Sequence, residues 1–213
     1  MGNSITLRNI RKTFKKNTVL GQISAEFASG KIHGIIGYNG SGKTVLLKII
    51  CGLIPADGGE LYIGGQLCKS GNNNHMNIGA IIETPGFLPM QSGLKNLQYL
   101  ASIRHKIGIE EIAASMKKVG LDPYEKKHVD KYSLGMRQRL GLAQAIMENP
   151  DILILDEPMN GLDKDGVKDM RQYLLELKEQ GKTILIASHS AEDIDVLCDT
   201  VYEMENGTLM QLQ

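Results

Sequence analysis

A glycine-rich stretch, GYNGSGKT at residues 37–44, constrains the fold of this chain more than any other feature. It matches the pattern G-x-x-x-x-G-K-[ST] in full, and it lies between KIHGIIG and VLLKIICGL, which predict a strand and a buried helix. Glycines let such a loop wrap a phosphate with backbone N–H groups at a helix N-terminus. We therefore predict that ATP phosphates are bound by Asn39, Gly40, Ser41, Gly42, Lys43 and Thr44, and that the Thr44 hydroxyl also binds Mg²⁺.

The remaining segments predict an α/β protein with a P-loop NTPase core. SITLRNI, NTVLGQISAEF and GELYIGGQL predict an N-terminal antiparallel β subdomain, with ASGK at 28–31 as the turn between its first two strands. Residues 94–148 are mostly helical in pattern, which indicates an inserted α-helical subdomain. DILILDEP and KTILIAS then alternate with amphipathic helices, as in a parallel sheet, before a final hairpin at TVYEMENGTLMQL.

These boundaries describe a single domain at residues 1–213. We assign 1–88 and 149–213 to the α/β core and the β subdomain, and 89–148 to the helical subdomain. The polar stretch SGNNNH at 70–75 predicts a mobile turn.

The composition argues against a nucleic-acid-binding, secreted or membrane-spanning protein. Lysine plus arginine equals aspartate plus glutamate at 24 each, so the basic excess of a typical nucleic-acid binder is missing and no nucleic-acid partner is expected. The widely spaced Cys51, Cys68 and Cys198 are typical of reduced thiols in a cytosolic protein. The polar N-terminus predicts no signal peptide, and no apolar run approaches the roughly 20 residues that span a bilayer.

A second acidic element follows the strand ILILDEP. Asp156 ends this strand, which we expect beside the strand of the phosphate loop, so that its carboxylate lies near the metal. Glu157 comes next, in position to polarise water for attack on the γ-phosphate. The two elements together predict an ATPase.

The segment KYSLGMRQRLGLAQAI places Ser133 and Gly135 just ahead of a predicted helix. Here the sequence resembles the ATP-binding cassette (ABC) family, whose signature reads roughly L-S-G-G-Q in this place. The usual leucine, first glycine and glutamine are replaced by Tyr132, Leu134 and Met136. The resemblance implies that Ser133 and Gly135 bind the γ-phosphate held by an opposite subunit, and therefore a dimer with two nucleotides at its interface.

Other positions acquire roles through the same resemblance. Asp163 in NGLDKDG is similar to the family's D-loop aspartate, which faces the other subunit. His189 in IASHS is similar to the switch histidine that contacts the γ-phosphate and the catalytic glutamate. The resemblance further implies that Phe14 stacks on adenine and that Val19 touches the ribose or the base edge.

Glu83, in IGAIIETPGFLP, occupies the place of the family's Q-loop glutamine. We expect it to act as a ligand of Mg²⁺ or water that tunes hydrolysis; the alternative is an exposed loop glutamate without a metal role. This version of the loop, called an E-loop, resembles that of transporters that protect bacteria from bacitracin and lantibiotics. The following segment, TPGFLPMQSGLKNL, would receive a coupling helix of a membrane partner.

The expected function is therefore that of an ATP-hydrolysing subunit powering export of, or immunity to, a peptide antibiotic or a similar amphiphile. The resemblance implies a separate integral membrane subunit, an ATP-dependent homodimer and a cytoplasmic location on the inner face of the membrane. A soluble regulatory ABC ATPase, or one associated with ribosomes or DNA, remains the alternative.

Overall fold

The computed structural model describes residues 2–68 and 77–212, and within these ranges the chain forms two β-sheets and six α-helices. The predicted turn at SGNNNH lies outside the described residues. Within the described ranges, no helix combines the length and the apolar character that a bilayer-spanning segment requires.

The smaller sheet is antiparallel and contains β1 Ile5–Phe14, β2 Asn17–Phe27, β4 Gly58–Ile63 and β5 Gln66–Cys68, in the order β2-β1-β4-β5. Alternation along β1 buries Ile5 and Leu7, and an irregularity between Leu7 and Ile10 shifts the pattern so that Ile10 is buried as well. The turn between β1 and β2 is formed by residues 15–16, so the expectation for ASGK was wrong. ASGK follows β2 and leads into the next strand.

The larger sheet contains β3 Ile32–Ile36, β6 Ile78–Ile81, β7 Ile152–Asp156, β8 Thr183–Ala187, β9 Thr200–Glu205 and β10 Thr208–Gln211. Its order is β10-β9-β3-β8-β7-β6, and β10 alone runs antiparallel to its neighbour. The strand ending at Asp156 is therefore not beside the strand of the phosphate loop, because β8 lies between them. Their carboxyl ends nonetheless share one sheet edge.

The described residues contain six α-helices: α1 Lys43–Ile50, α2 Gly93–Arg104, α3 Ile109–Lys118, α4 Leu134–Ile146, α5 Lys164–Glu179 and α6 Ala191–Leu197. A short 3-10 helix spans Val129–Lys131. The predicted helices are confirmed, and α4 packs on β6 so closely that a β carbon at Gly79 would collide with the Ala145 carbonyl. The subdomain boundaries stay a prediction.

The strands of the larger sheet supply two hydrophobic cores because alternate side chains point to opposite faces. Leu153, Leu155 and Ile184 pack with α4 and α5, whereas Ile154 and Leu185 pack with α1 and the smaller sheet. Burial on both faces holds the carboxyl ends of β3 and β7 in place, and those ends carry the polar residues described next.

Candidate functional site

The phosphate loop connects β3 to α1 in a conformation that requires glycine. Gly37 and Gly42 have φ angles of 146° and 112°, in the left-handed region that other residues rarely adopt. A β carbon at Gly37 would also collide with the carbonyl oxygen of Met204. These glycines therefore allow the loop to curl at the N-terminus of α1.

Two polar groups within this loop fit an anionic ligand. The Lys43 ammonium, on a residue that is 7% exposed, donates to the carbonyls of Gly37 and Tyr38 at 2.5 and 3.1 Å. The buried Ser41 hydroxyl has no hydrogen-bond partner among the described residues. A buried cation and an unpaired hydroxyl at a helix N-terminus provide the donors that a phosphate group needs.

Thr44 joins the loop to β7. Its Oγ1 donates a hydrogen bond to Oδ2 of Asp156 at 2.8 Å. Burial raises the pKa of Asp156, and the negative charges of Glu157 and Glu83 act in the same direction. The Thr44 hydrogen bond and the Lys43 charge lower it and oppose this shift. A hydroxyl and a carboxylate are hard oxygen ligands of the type that Mg²⁺ prefers, so this pair fits that ion.

Glu157 and His189 form a second pair at the same sheet edge. Glu157 Oε2 lies 2.8 Å from His189 Nδ1. The Glu157 backbone has a φ of 50° and donates to the carbonyl of Ala187 at 2.9 Å, at the end of β8. The Gln138 amide of α4 donates to the carbonyls of Glu157 and Pro158 at 3.2 and 3.1 Å. The carboxylate is thereby held next to an imidazole.

Glu83 reaches the site from the segment after β6. Its backbone is left-handed, with a φ of 60°, and its Oε1 accepts a hydrogen bond from the Lys48 ammonium at 2.8 Å. The Glu83 side chain is 63% exposed. The glutamate therefore faces the site while paired with a lysine of α1.

One cavity of about 530 Å³, the nucleotide pocket, brings many of the predicted residues together. Its walls include Val19, Asn39, Gly40, Gly42, Lys43, Thr44, Glu83, Asp156 and Glu157. Phe14 lies outside these walls: it ends β1, is 45% exposed and has the Lys12 ammonium 5.3 Å from its ring centre. His189 lines a neighbouring cavity that Glu157 shares.

Ser133, Gly135 and Asp163 line a separate cavity of about 610 Å³. Ser133 caps α4 by accepting from the Met136 N–H at 3.1 Å, and Asp163 caps α5 by accepting from the Gly166 N–H at 3.2 Å. These three residues do not line the nucleotide pocket of their own chain.

Two contributions were not predicted from the sequence. Lys48 follows Thr44 by four residues, which places both on one face of α1, so helical spacing could have suggested it. No local pattern indicates that Gln138 would contact the backbone after β7.

Comparison with known proteins identifies the family. Residues 20–160 match the family described as ABC transporter. The chain belongs to the ABC transporter family. An uncharacterized ABC transporter ATP-binding protein of Bacillus subtilis strain 168, YybJ, is 43% identical over 205 residues, which cover 96% of this chain and 94% of that protein.

Two further relatives carry more specific names. The bacitracin transport ATP-binding protein BcrA of Enterococcus faecalis is 39% identical, with 97% of this chain and 68% of that protein covered. The lantibiotic transport ATP-binding protein SrtF of Streptococcus pyogenes is 33% identical, with 97% and 89% covered. The resemblance to this type of ABC ATP-binding subunit is therefore confirmed, and the comparisons favour the transporter interpretation over the soluble alternative.

Solved structures confirm the fold. The dimeric bacterial ABC transporter cassette MJ0796 superposes with a TM-score of 0.89 over 98% of this chain and 99% of that one, at 23% identity. A nucleotide-free ATP-binding cassette from an ABC transporter superposes with a TM-score of 0.84 over 99% and 90%, at 26% identity. The predicted fold class is correct.

Proposed function

We propose that this chain binds and hydrolyses ATP as one of two ATPase subunits, and that hydrolysis powers transport through a separate integral membrane subunit. The observation that carries the proposal is that two pairs of polar side chains lie together at the sheet edge beside the phosphate loop. Thr44 is bonded to Asp156, and Glu157 contacts His189, at the same sheet edge.

In this proposal the loop binds the triphosphate. The N–H groups of residues 39–42 and the Ser41 hydroxyl donate to phosphate oxygens, and Lys43 turns from the loop carbonyls to the β- and γ-phosphates. Phe14 stacks on adenine and Val19 contacts the ribose or the base edge. Val19 already lines the nucleotide pocket, and the ring of Phe14 is 45% exposed at the end of β1.

Thr44, Asp156 and Glu83 would hold Mg²⁺. When bound, this ion supplies positive charge that offsets the negative charge of the phosphate oxygens. Thr44 and Asp156 are already 2.8 Å apart. The burial that raises the pKa of Asp156 also disfavours its bare negative charge, which a bound cation relieves.

Glu157 and His189 would carry out the proton chemistry of hydrolysis. Glu157 accepts a hydrogen bond from the attacking water through the carboxylate oxygen that does not face His189, and so orients and polarises that water. His189, 2.8 Å from the other oxygen, holds the carboxylate in place and directs its remaining ring nitrogen toward the γ-phosphate.

The signature residues support a dimer. Ser133, Gly135 and Asp163 line a cavity other than the nucleotide pocket, so within one chain they would not reach the ATP bound there. We infer that Ser133 and Gly135 bind the γ-phosphate held by a second copy and that Asp163 faces that copy. The similar cassette MJ0796 is dimeric, which supports this arrangement.

The membrane partner and the substrate follow from the relatives. We propose a peptide antibiotic or similar amphiphile as the substrate, because relatives are named for bacitracin and lantibiotic transport. Residues 84–97 would receive the membrane subunit, since Leu88 and Met90 are 51% and 63% exposed there. The chain would thus lie on the cytoplasmic face of the membrane, with residues 89–148 acting as a helical subdomain that transmits movement.

The experiment compares ATP turnover and ATP-dependent dimerisation of the wild type with those of Glu157→Gln. We expect hydrolysis by the wild type, and we expect the variant to lose hydrolysis and accumulate as an ATP-bound dimer. A wild type that neither hydrolyses nor dimerises, alone or with its membrane partner, would contradict the proposal. Bacitracin and lantibiotic sensitivity of cells carrying either version with the membrane subunit then tests the substrate.

A further inference from the structure

One face of α1 contacts two of the carboxylates at the pocket. Thr44 Oγ1 donates to Asp156 at 2.8 Å, and one helical turn later Lys48 Nζ donates to Glu83 at 2.8 Å. Residues four apart in an α-helix lie above one another on the same face. Two neighbouring side chains on one face of α1 therefore donate hydrogen bonds to both carboxylates.

The surrounding structure holds the Lys48–Glu83 pair in a defined position. The Lys48 side chain is only 28% exposed, so its stem packs on the protein while its ammonium reaches Glu83. The left-handed backbone of Glu83, with a φ of 60°, is uncommon for a residue other than glycine. A glutamine at this position could accept the Lys48 hydrogen bond through its carbonyl oxygen but carries no charge, so the ion pair depends on the glutamate.

The Lys48–Glu83 pair also reduces electrostatic repulsion among the carboxylates of the pocket. Three carboxylates, Glu83, Asp156 and Glu157, line the nucleotide pocket, and like charges at such a site repel one another. Lys43 is the cation of the phosphate loop, where it contacts the loop carbonyls. Arg137 is a second cation among the described residues that line the pocket, and Lys48 adds a further positive charge through its direct contact with Glu83.

We propose that Lys48 is a positioning residue that latches Glu83 onto α1, so that Lys48 and Mg²⁺ are alternative partners of the same carboxylate. Glu83 joins the metal site only when the ion pair opens, which raises the Mg²⁺ concentration needed for tight nucleotide binding. This inference rests on the proposed function in one respect, namely that the pocket binds ATP with Mg²⁺.

The test is equilibrium binding of a non-hydrolysable ATP analogue, titrated with Mg²⁺ in about 0.15 M KCl so that distant charges are screened. We compare the wild type, Lys48→Met, Glu83→Gln and the double variant. Lys48→Met should lower the half-saturating Mg²⁺ concentration about two- to fivefold, the factor that a partly exposed ion pair supplies. The double-mutant cycle removes the general effect of losing one positive charge.

Lys48→Met should lower the half-saturating Mg²⁺ concentration less in the Glu83→Gln background than in the chain that retains Glu83. The effects in the two backgrounds should differ by a factor of about two to five. Equal effects in the two backgrounds would overturn the latch. Lys48→Arg retains the charge and should stay near the wild-type value; an arginine variant that behaves like the methionine variant would also contradict the proposal. Thermal unfolding of each variant verifies that the fold is retained.

Lys178→Met is the matched control. Lys178 pairs with Asp199 at 2.6 Å and is 31% exposed, but Asp199 accepts from the Ile32 N–H at the start of β3, opposite the phosphate loop. This variant should leave the Mg²⁺ dependence unchanged. If the wild type binds no analogue at any Mg²⁺ concentration, the ATP-binding proposal and the latch both fail. If it binds the analogue and Lys48→Met changes nothing, only the latch fails.

Discussion

Removal of His189, of the Glu157 carboxylate, or of both should lower ATP hydrolysis by the same factor. His189 Nδ1 lies 2.8 Å from Glu157 Oε2, close enough for the two residues to act as one unit. A positioned acid–base group contributes about 10²–10⁴-fold to a rate, so His189→Ala and Glu157→Gln should each lose about that much. Residues that act as a unit are not additive, so the double variant should lose no more.

Stability separates this effect from unfolding. The His189 side chain is 72% exposed and that of Glu157 is 27% exposed. A partly exposed side-chain contact of this kind contributes about 0–1 kcal/mol, whereas the total free energy of unfolding of a domain is about 5–15 kcal/mol. All three variants should therefore unfold at nearly the wild-type urea concentration.

The assay is steady-state ATP hydrolysis beside urea unfolding, with His128→Ala, which removes an exposed histidine away from the pocket, as the control. Independent residues would multiply their losses to about 10⁴–10⁸-fold in the double variant. That result, or a variant that no longer unfolds cooperatively, would refute the assignment of one catalytic unit.

Variants at three further positions test other parts of the proposed site. Phe14→Ala should weaken ATP binding about three- to tenfold through lost stacking, whereas Phe14→Tyr should not; equal affinity of the alanine variant would remove Phe14 from the site. Because burial raises the pKa of Asp156, the folded protein disfavours its charge, so Asp156→Asn should be more stable to urea than the wild type at neutral pH in EDTA. This advantage should shrink as the pH falls through the Asp156 pKa, when the wild type takes up the proton; an advantage independent of pH would contradict the reasoning. Glu83→Gln should change the ATP turnover or its Mg²⁺ dependence, and no change in either would leave Glu83 without a metal role.

The phosphate loop and its helix could be predicted because their spacing follows from one local requirement. Each loop glycine permits a left-handed backbone or a close approach, and Lys43 and Thr44 follow at the start of α1. The sequence motif therefore determines the geometry of the loop. Short continuous apolar runs likewise predicted the buried strands β7 and β8, which lie where the pattern placed them.

Sheet order was not available from such local patterns. We expected the strand of Asp156 beside the strand of the phosphate loop, but β8 lies between them. The Thr44–Asp156 contact forms even so, because both groups lie at the carboxyl edge of the sheet. The contacts of Lys48 with Glu83 and of Gln138 with the backbone after β7 depend on tertiary packing, which no short sequence window records.

The central claim is that each ATP is hydrolysed at a site shared by two copies of the chain, and mixing two inactive variants tests it most directly. Glu157→Gln lacks the carboxylate that polarises water, and Ser133→Arg blocks the signature contact, so each alone should be inactive. A mixed dimer pairs an intact Glu157 of one copy with an intact Ser133 of the other. The mixture should therefore recover up to about a quarter of the wild-type rate, because half of randomly formed dimers are mixed and each holds one intact site. A mixture as inactive as either variant alone would contradict the shared site.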